Sequence, residues 1–229
     1  MDDLVLLHAF PLDARMWDVP GAITPDLRGH GEPDLDVLAL QVVEELDARG
    51  LDSVLLGGCS MGGYVAMAVL RRAPERVKGL VFADTKHTAD APEAAENRHA
   101  MAERVEREGV GWIPDAMLPN LLGPNASDEA KNLVRTMILA QRPEDVAWWQ
   151  RAMAARLDST DVLEKAYVPS LVLVGDQDKI TPPDVAAKLA VTLRHSTSER
   201  VEGAGHLMPV EQPEEFRARL ERWRTQVGI

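Results

Sequence analysis

Gly58-Cys59-Ser60-Met61-Gly62-Gly63 stands between an apolar run, Val54 to Leu56, and a segment that is apolar nearly all round, Tyr64 to Leu70. A serine on a sharp turn from strand to helix takes a strained backbone, and small residues two before and two after it let the neighbouring elements approach closely. Its hydroxyl is then held out over the sheet edge, at a helix N-terminus that favours the negative charge developing on attack. A glycine-rich turn of this kind can also be purely structural. The strand before it and the helix after it are what point this one to catalysis.

Working outward, Leu4 to Leu7, Leu80 to Phe82 and Leu171 to Val174 are further short apolar runs closed by His, Ala-Asp or Gly, with weaker candidates at Ala22 to Thr24 and Glu199 to Val201. Runs so continuous read as strands buried on both faces of a parallel sheet. Between them lie helical segments. Asp36 to Arg49 carries Val37, Leu40, Val43 and Leu46 at spacings of three, read as one apolar stripe. Thr181-Pro182-Pro183-Asp184 reads as a helix start with Thr181 as N-cap, and Gln212-Pro213-Glu214-Glu215 repeats the pattern, with Glu215 and Arg219 as an i,i+4 pair. The alternation implies an α/β fold with a mostly parallel, doubly wound sheet.

The rhythm breaks from His87 to Ala166, where only helix-like segments occur: Ala94 to Glu108, Ser127 to Ala140 and Pro143 to Arg156. A strandless stretch of about 80 residues is too long for a connection. It is read as a helical lid inserted at 87–166 over the active edge of a core made of 1–86 and 167–229.

A serine hydroxyl is a weak nucleophile and needs a base. His206, in Glu202-Gly203-Ala204-Gly205-His206-Leu207, follows the last candidate strand and falls at the same sheet edge as Ser60. His195 and His99 read as solvated. The acid that orients the imidazole follows the strand at 171–174, in Gly175-Asp176-Gln177-Asp178, where two carboxylates compete. Asp178 lies further into the loop and is preferred, Asp176 suits a turn, and Asp84, after the strand ending at Phe82, is a minority alternative. Oxyanion donors fall to the backbone N–H of Met61 and of Phe10 in the loop after the first strand.

His8-Ala9-Phe10-Pro11-Leu12-Asp13, Asp26-Leu27-Arg28-Gly29-His30-Gly31, the Ser60 turn, Gly175-Asp176-Gln177-Asp178 and Gly203-Ala204-Gly205-His206 occur in this order. Together they resemble an α/β-hydrolase of the bacterial branch that includes carboxylesterases, 3-oxoadipate-type enol-lactonases and cofactor-free haloperoxidases. The resemblance implies the α/β-hydrolase fold with a Ser60, Asp178, His206 triad. It also implies hydrolysis of a small carboxylic ester or lactone, with C–C bond hydrolysis, perhydrolysis or a small-molecule receptor on the same scaffold as alternatives. The family's N-terminal hairpin is lacking here, so about six strands are expected where eight are common. Within the lid, Trp112, Met117, Met137, Trp148 and Met153 are candidates for one wall of the substrate pocket, although most such residues simply pack. Trp148 and Trp149, being adjacent, are not expected both to face inward. His8 and His30 are assigned bracing roles, and Cys59 reads as an inert packed thiol.

Composition sets the outer bounds. In 229 residues, 25 Lys and Arg against 37 Asp and Glu leave a net charge of -12, which argues against nucleic acid or an anionic membrane as partner. A single cysteine excludes an intrachain disulfide and a cysteine-rich zinc site. No His/Asp/Glu cluster has metal spacing, so neither metal nor cofactor is expected. The N-terminus lacks the basic and long apolar regions of a signal peptide, which makes the cytoplasm the expected location.

Overall fold

The computed structural model describes residues 3–229, so Met1 and Asp2 of the expected core segment lie outside the described residues. Five parallel strands, β1 (Leu4–Leu7), β2 (Val54–Cys59), β3 (Val77–Ala83), β4 (Ser170–Gly175) and β5 (Ser196–Val201), lie side by side in chain order. Every residue of β1, β2 and β4 is buried. That is the expected cost of covering a parallel sheet on both faces, and it explains why these runs carry no polar alternation.

The sixth strand expected at Ala22 to Thr24 is reduced to a single bridge, Val5 to Ile23. Ile23 gives its N–H to Leu4 O at 2.8 Å and takes the Leu6 N–H at 2.9 Å. Pro20-Gly21 on one side and Pro25 on the other stop the ladder there, since proline supplies no donor.

Helices α1 (Leu35–Ala48) and α2 (Met61–Arg72) pack together, and α2 lies on β1, β2 and β3. The stripe that α1 buries is Leu35, Leu38, Ala39, Val42 and Leu46, and Leu40 is 38% exposed. Steps of three turn 60° short of a full circle each time, so the series 37, 40, 43, 46 wanders round the helix, whereas alternating steps of three and four stay on one face.

Between β3 and β4 come only helices: α3 (Pro92–Glu108), α4 (Ile113–Leu121), α5 (Asp128–Leu139), α6 (Pro143–Ala155) and the short α7 (Thr160–Lys165). Ser127 caps α5 by accepting the Ala130 N–H. After β4 follow α8 (Pro183–Thr192), then past β5 the single turn α9 (Met208–Glu211) and α10 (Pro213–Val227), which puts Phe216, Leu220 and Trp223 into the core. The Glu215–Arg219 pair forms at 2.7 Å. Among the described residues no helix is long and apolar enough to cross a membrane.

Named polar contacts hold the 87–166 segment to the core. Trp149 gives its indole N–H to Leu27 O at 2.9 Å, and Trp148 gives its own to Gly31 O at 3.1 Å. Both rings are buried, so adjacent positions do face the core together, because their 100° separation fits inside a broad buried face. Trp148 lies so close on Gly29 that a Cβ there would come within 2.0 Å of the ring. Arg28 meets buried Asp145 at 2.7 Å, and Gln141 gives its amide to Asp13 at 3.0 Å.

At the root of the segment, Asp90 is almost wholly buried and takes Arg156 at 2.6 Å, Lys86 at 2.8 Å and Arg98 at 2.5 Å. Burial alone would raise its carboxyl, but the hydrogen bonds from Arg156 and Lys86 and the charge of Arg98 outweigh it and hold the group far below the usual range. A depressed carboxylate contributes stability above its ordinary value near 4, and that contribution is lost as the pH falls below it. Asp90→Asn should therefore lose about 3–5 kcal/mol at pH 7, the cost of breaking a buried pair. Urea unfolding at pH 7 and again at about pH 2.5 checks this, because the difference from wild type should shrink at the acid pH. An equal difference at both would show that the ion pair is not its source.

Candidate active site

Ser60 is the residue at which β2 becomes α2, and its backbone sits at φ 49°, ψ -112°. Few non-glycine residues take that conformation, and its strain here is met by bonds on both sides: Ser60 N–H to Ala83 O at 3.0 Å and Gly63 N–H to Ser60 O at 3.0 Å. The glycines around it are required by contact. A Cβ on Gly58 would stand 2.1 Å from the Gly62 carbonyl carbon, and one on Gly62 would stand 2.0 Å from Leu7 O. The first turn of α2 thus presses on the ends of both β1 and β2, which leaves the Ser60 side chain directed at the loop after β5.

There it meets His206. Ser60 Oγ lies 2.9 Å from His206 Nε2, and His206 Nδ1 lies 2.9 Å from Asp178 Oδ2. His206 and Asp178 are buried, and Ser60 keeps some exposure. The surroundings of Asp178 set the proton positions. Its Oδ1 accepts the N–H of Ile180 at 2.7 Å and of Thr181 at 2.9 Å, and its Oδ2 accepts the Thr181 hydroxyl at 2.7 Å. A carboxylate so supplied is ionised: burial would raise it, but the hydrogen bond from His206 and then the Thr181 donors outweigh burial and hold it below its usual range. Nδ1 of His206 then carries the proton, and Nε2 presents a lone pair to Ser60.

Thr181 is a participant that sequence reading assigned elsewhere. The helix begins one residue later, with Pro182 in the N-cap position and no side-chain cap. The Thr181 hydroxyl is spent on Asp178 and lies 3.3 Å from His206 Nδ1. The signal was present in the spacing Asp178-x-x-Thr181, a pattern in which a carboxylate collects the donors of a turn.

The other candidates fall as follows. Asp176 accepts Gly203 N–H at 2.7 Å and is half-buried, as suits a turn residue. Asp84 is buried and takes only backbone donors. Among the described residues the N–H groups of Phe10 and Met61 have no protein acceptor. His8 is buried, so burial pulls its imidazole below the usual value. It accepts Leu27 N–H at 2.9 Å and gives its other N–H to Ala9 O at 3.1 Å, tying the loop after β1 to the 26–31 loop. Exposed His30 reaches Gln41 at 3.2 Å. Cys59 is fully buried with its Sγ 3.8 Å from His206 O, and burial together with the charges of Asp84 and Asp178 pushes its thiol well above the usual value.

Of the five residues considered for a pocket wall, Trp112 lies under the Arg104 guanidinium at 3.7 Å, Met137 is fully buried, Trp148 is bonded to Gly31 O, and Met153 has its sulfur 3.5 Å from Arg98. Half-buried Met117 lies one turn before Leu121, whose carbonyl takes the Leu207 N–H at 3.1 Å beside His206. Among the described residues no group of three or more His, Cys, Asp or Glu is arranged to hold a metal ion.

A serine, an imidazole and a buried carboxylate in line, at the edge of a parallel sheet, define the class of the alpha/beta hydrolases. The sequence matches the description of the alpha/beta hydrolase family over residues 4–219, and the chain belongs to that family. It is similar to a solved thermophilic esterase from Thermogutta terrifontis, at 39% identity over 98% of this chain and 89% of that one, with a TM-score of 0.94. It is also similar to the 3-oxoadipate enol-lactonase 2 of Acinetobacter baylyi, at 28% identity over 95% of this chain and 86% of that protein. The pimeloyl-[acyl-carrier protein] methyl ester esterase of Yersinia enterocolitica is 25% identical over 93% of this chain and 90% of its own length.

Proposed function

We propose that this chain is a serine hydrolase that cleaves a small carboxylic ester or lactone through an acyl-enzyme. The observation that carries the proposal is the continuous chain Ser60 Oγ, His206 Nε2, His206 Nδ1, Asp178 Oδ2, with both hydrogen bonds at 2.9 Å. In this reading Ser60 Oγ attacks the acyl carbon as its proton passes to Nε2. The Phe10 and Met61 amides receive the oxyanion, Asp178 stabilises the imidazolium, and the proton returns to the departing alkoxide. Water, deprotonated by the same Nε2, then releases the acid and restores Ser60. For a lactone the alcohol and the acid stay in one product.

An ester or lactone is favoured by the relatives named esterase and enol-lactonase at 25–39% identity. The 87–166 segment acts as the lid in this reading, and Met117, one turn from the contact of α4 with the His206 loop, faces the acyl group. Incubation with a fluorophosphonate tests the proposal. Mass spectrometry should find one adduct, on Ser60, formed in proportion to the loss of p-nitrophenyl acetate hydrolysis, and kcat/KM should decline as the acyl chain is lengthened. Complete labelling with hydrolysis intact would contradict it, and tight ligand binding without turnover would point instead to a receptor.

A further inference from the structure

Two carboxyl groups outside the Ser60, His206, Asp178 chain, buried Asp84 and half-buried Glu211, hold the segment on either side of His206. Asp84 follows the end of β3 and has no exposed surface; its Oδ1 accepts the N–H of Gly175 at 2.8 Å and its Oδ2 accepts the N–H of Met208 at 3.0 Å. Glu211 closes α9; its Oε1 accepts the N–H of Gly205 at 2.9 Å and its Oε2 accepts the N–H of Gly123 at 2.8 Å. The amide one residue before His206 and the amide two residues after it therefore both end on a carboxylate. We infer that Asp84 and Glu211 are positioning residues for His206, an inference that rests on reading His206 as the base.

The two bridges act in different directions. Gly175 opens the loop that carries Asp178, and Met208 ends the loop that carries His206, so Asp84 sets the separation of acid and base through the backbone, independently of the bond between them. Glu211 joins the His206 loop to Gly123, between α4 and α5, beside the Leu207 N–H bond to Leu121 O. The approach there is close, since a Cβ on Gly205 would stand 2.3 Å from Gly123 N. Through Glu211 the base is located against the helical segment as well as against the sheet.

At both places the two oxygens of one carboxyl group each accept a backbone N–H. A side-chain amide of the same size would aim an NH2 at one of them. The arrangement is costly. Asp84 takes a left-handed φ of 47°, and burial, with the nearby Asp178 charge, pushes its carboxyl well above the usual range against the pull of the two amides. Burial likewise raises Glu211. Side chains kept at such cost beside a catalytic base are where function rather than packing is served. The service is a base already in its reactive position, needing no rearrangement when Ser60 attacks.

Asp84→Asn and Glu211→Gln test the inference, with four measurements on each: thermal unfolding, kcat and KM for p-nitrophenyl acetate, the rate of fluorophosphonate labelling, and the low-field proton NMR signal of His206 Nδ1–H. In the folded variants kcat and the labelling rate should fall together, by about 100-fold for Asp84→Asn, the loss that a displacement of about 1 Å brings. KM should stay within about threefold, and the Nδ1–H signal should move or broaden. If folded variants keep wild-type kcat and an unmoved signal, or if the whole loss is explained by unfolded protein, the inference is overturned. Should Asp84→Asn fail to fold, Glu211→Gln decides alone, since its bonds lie outside the sheet. Retained hydrolysis in Ser60→Ala would defeat the catalytic reading instead, while the NMR signal would still report whether the two carboxylates hold the imidazole.

Discussion

Ser60→Ala is expected to lower kcat for p-nitrophenyl acetate by about 10^4- to 10^6-fold, equivalent to about 5–8 kcal/mol of transition-state stabilisation. The variant should fold. Ser60 makes no side-chain cap to α2, and what the turn needs from it is backbone, the bonds of its N–H to Ala83 O and of its carbonyl to Gly63. Alanine meets the same positive φ as serine, so no new strain enters. What disappears is the oxygen 2.9 Å from His206 Nε2. Cys59 next door cannot take over, being fully buried, directed at His206 O and disfavoured as a thiolate. Steady-state kinetics alongside an unfolding curve make the measurement, and a folded variant retaining more than about a hundredth of wild-type kcat would remove Ser60 from the mechanism.

Asp178→Asn should cost about 10^4-fold in kcat with little change in KM. Here the argument is one of tautomers. Oδ1 faces two amide donors, Ile180 and Thr181, so the asparagine carbonyl must occupy that place. Its NH2 then faces His206 Nδ1, which can accept only by giving up its proton. The imidazole proton moves to Nε2, where it points at Ser60, and the base has no lone pair for the nucleophile. The Thr181 hydroxyl, which donates to Oδ2 at 2.7 Å, loses its acceptor as well, so a small loss of stability accompanies the kinetic one. Nitrogen-15 NMR of the His206 ring reads the tautomer directly. A variant that keeps wild-type kcat, or the Nδ1–H tautomer, would show that Asp178 does not orient the base.

The Ser60 turn, the four strong strands and the order serine, acid, histidine were legible because each is a local pattern. Continuous apolar runs follow from burial on both faces. Glycines beside Ser60 follow from close backbone approach, and the loops after β4 and β5 fall at one sheet edge by topology alone. Choosing Asp178 from Asp176 and Asp84 is only a preference at that level; apart from the local Thr181 bond, the contacts that separate them join residues 25 to 146 positions apart. Periodicity misplaced the buried stripe of α1, because three-residue spacing resembles a helical face without staying on one. Thr181 was hidden behind a plausible capping motif, since a hydroxyl serves a helix end or a carboxylate equally well until both are in place. The placement of both Trp148 and Trp149 toward the core needed Leu27 and Gly31, more than 115 residues away. Sequence by itself thus determined the family, the turn that presents Ser60 and the types of residue available to it. Only the tertiary structure decided which carboxylate faces His206, what holds that histidine and how the helical segment is fastened, because those outcomes depend on donors and acceptors that meet only when distant loops reach the same edge.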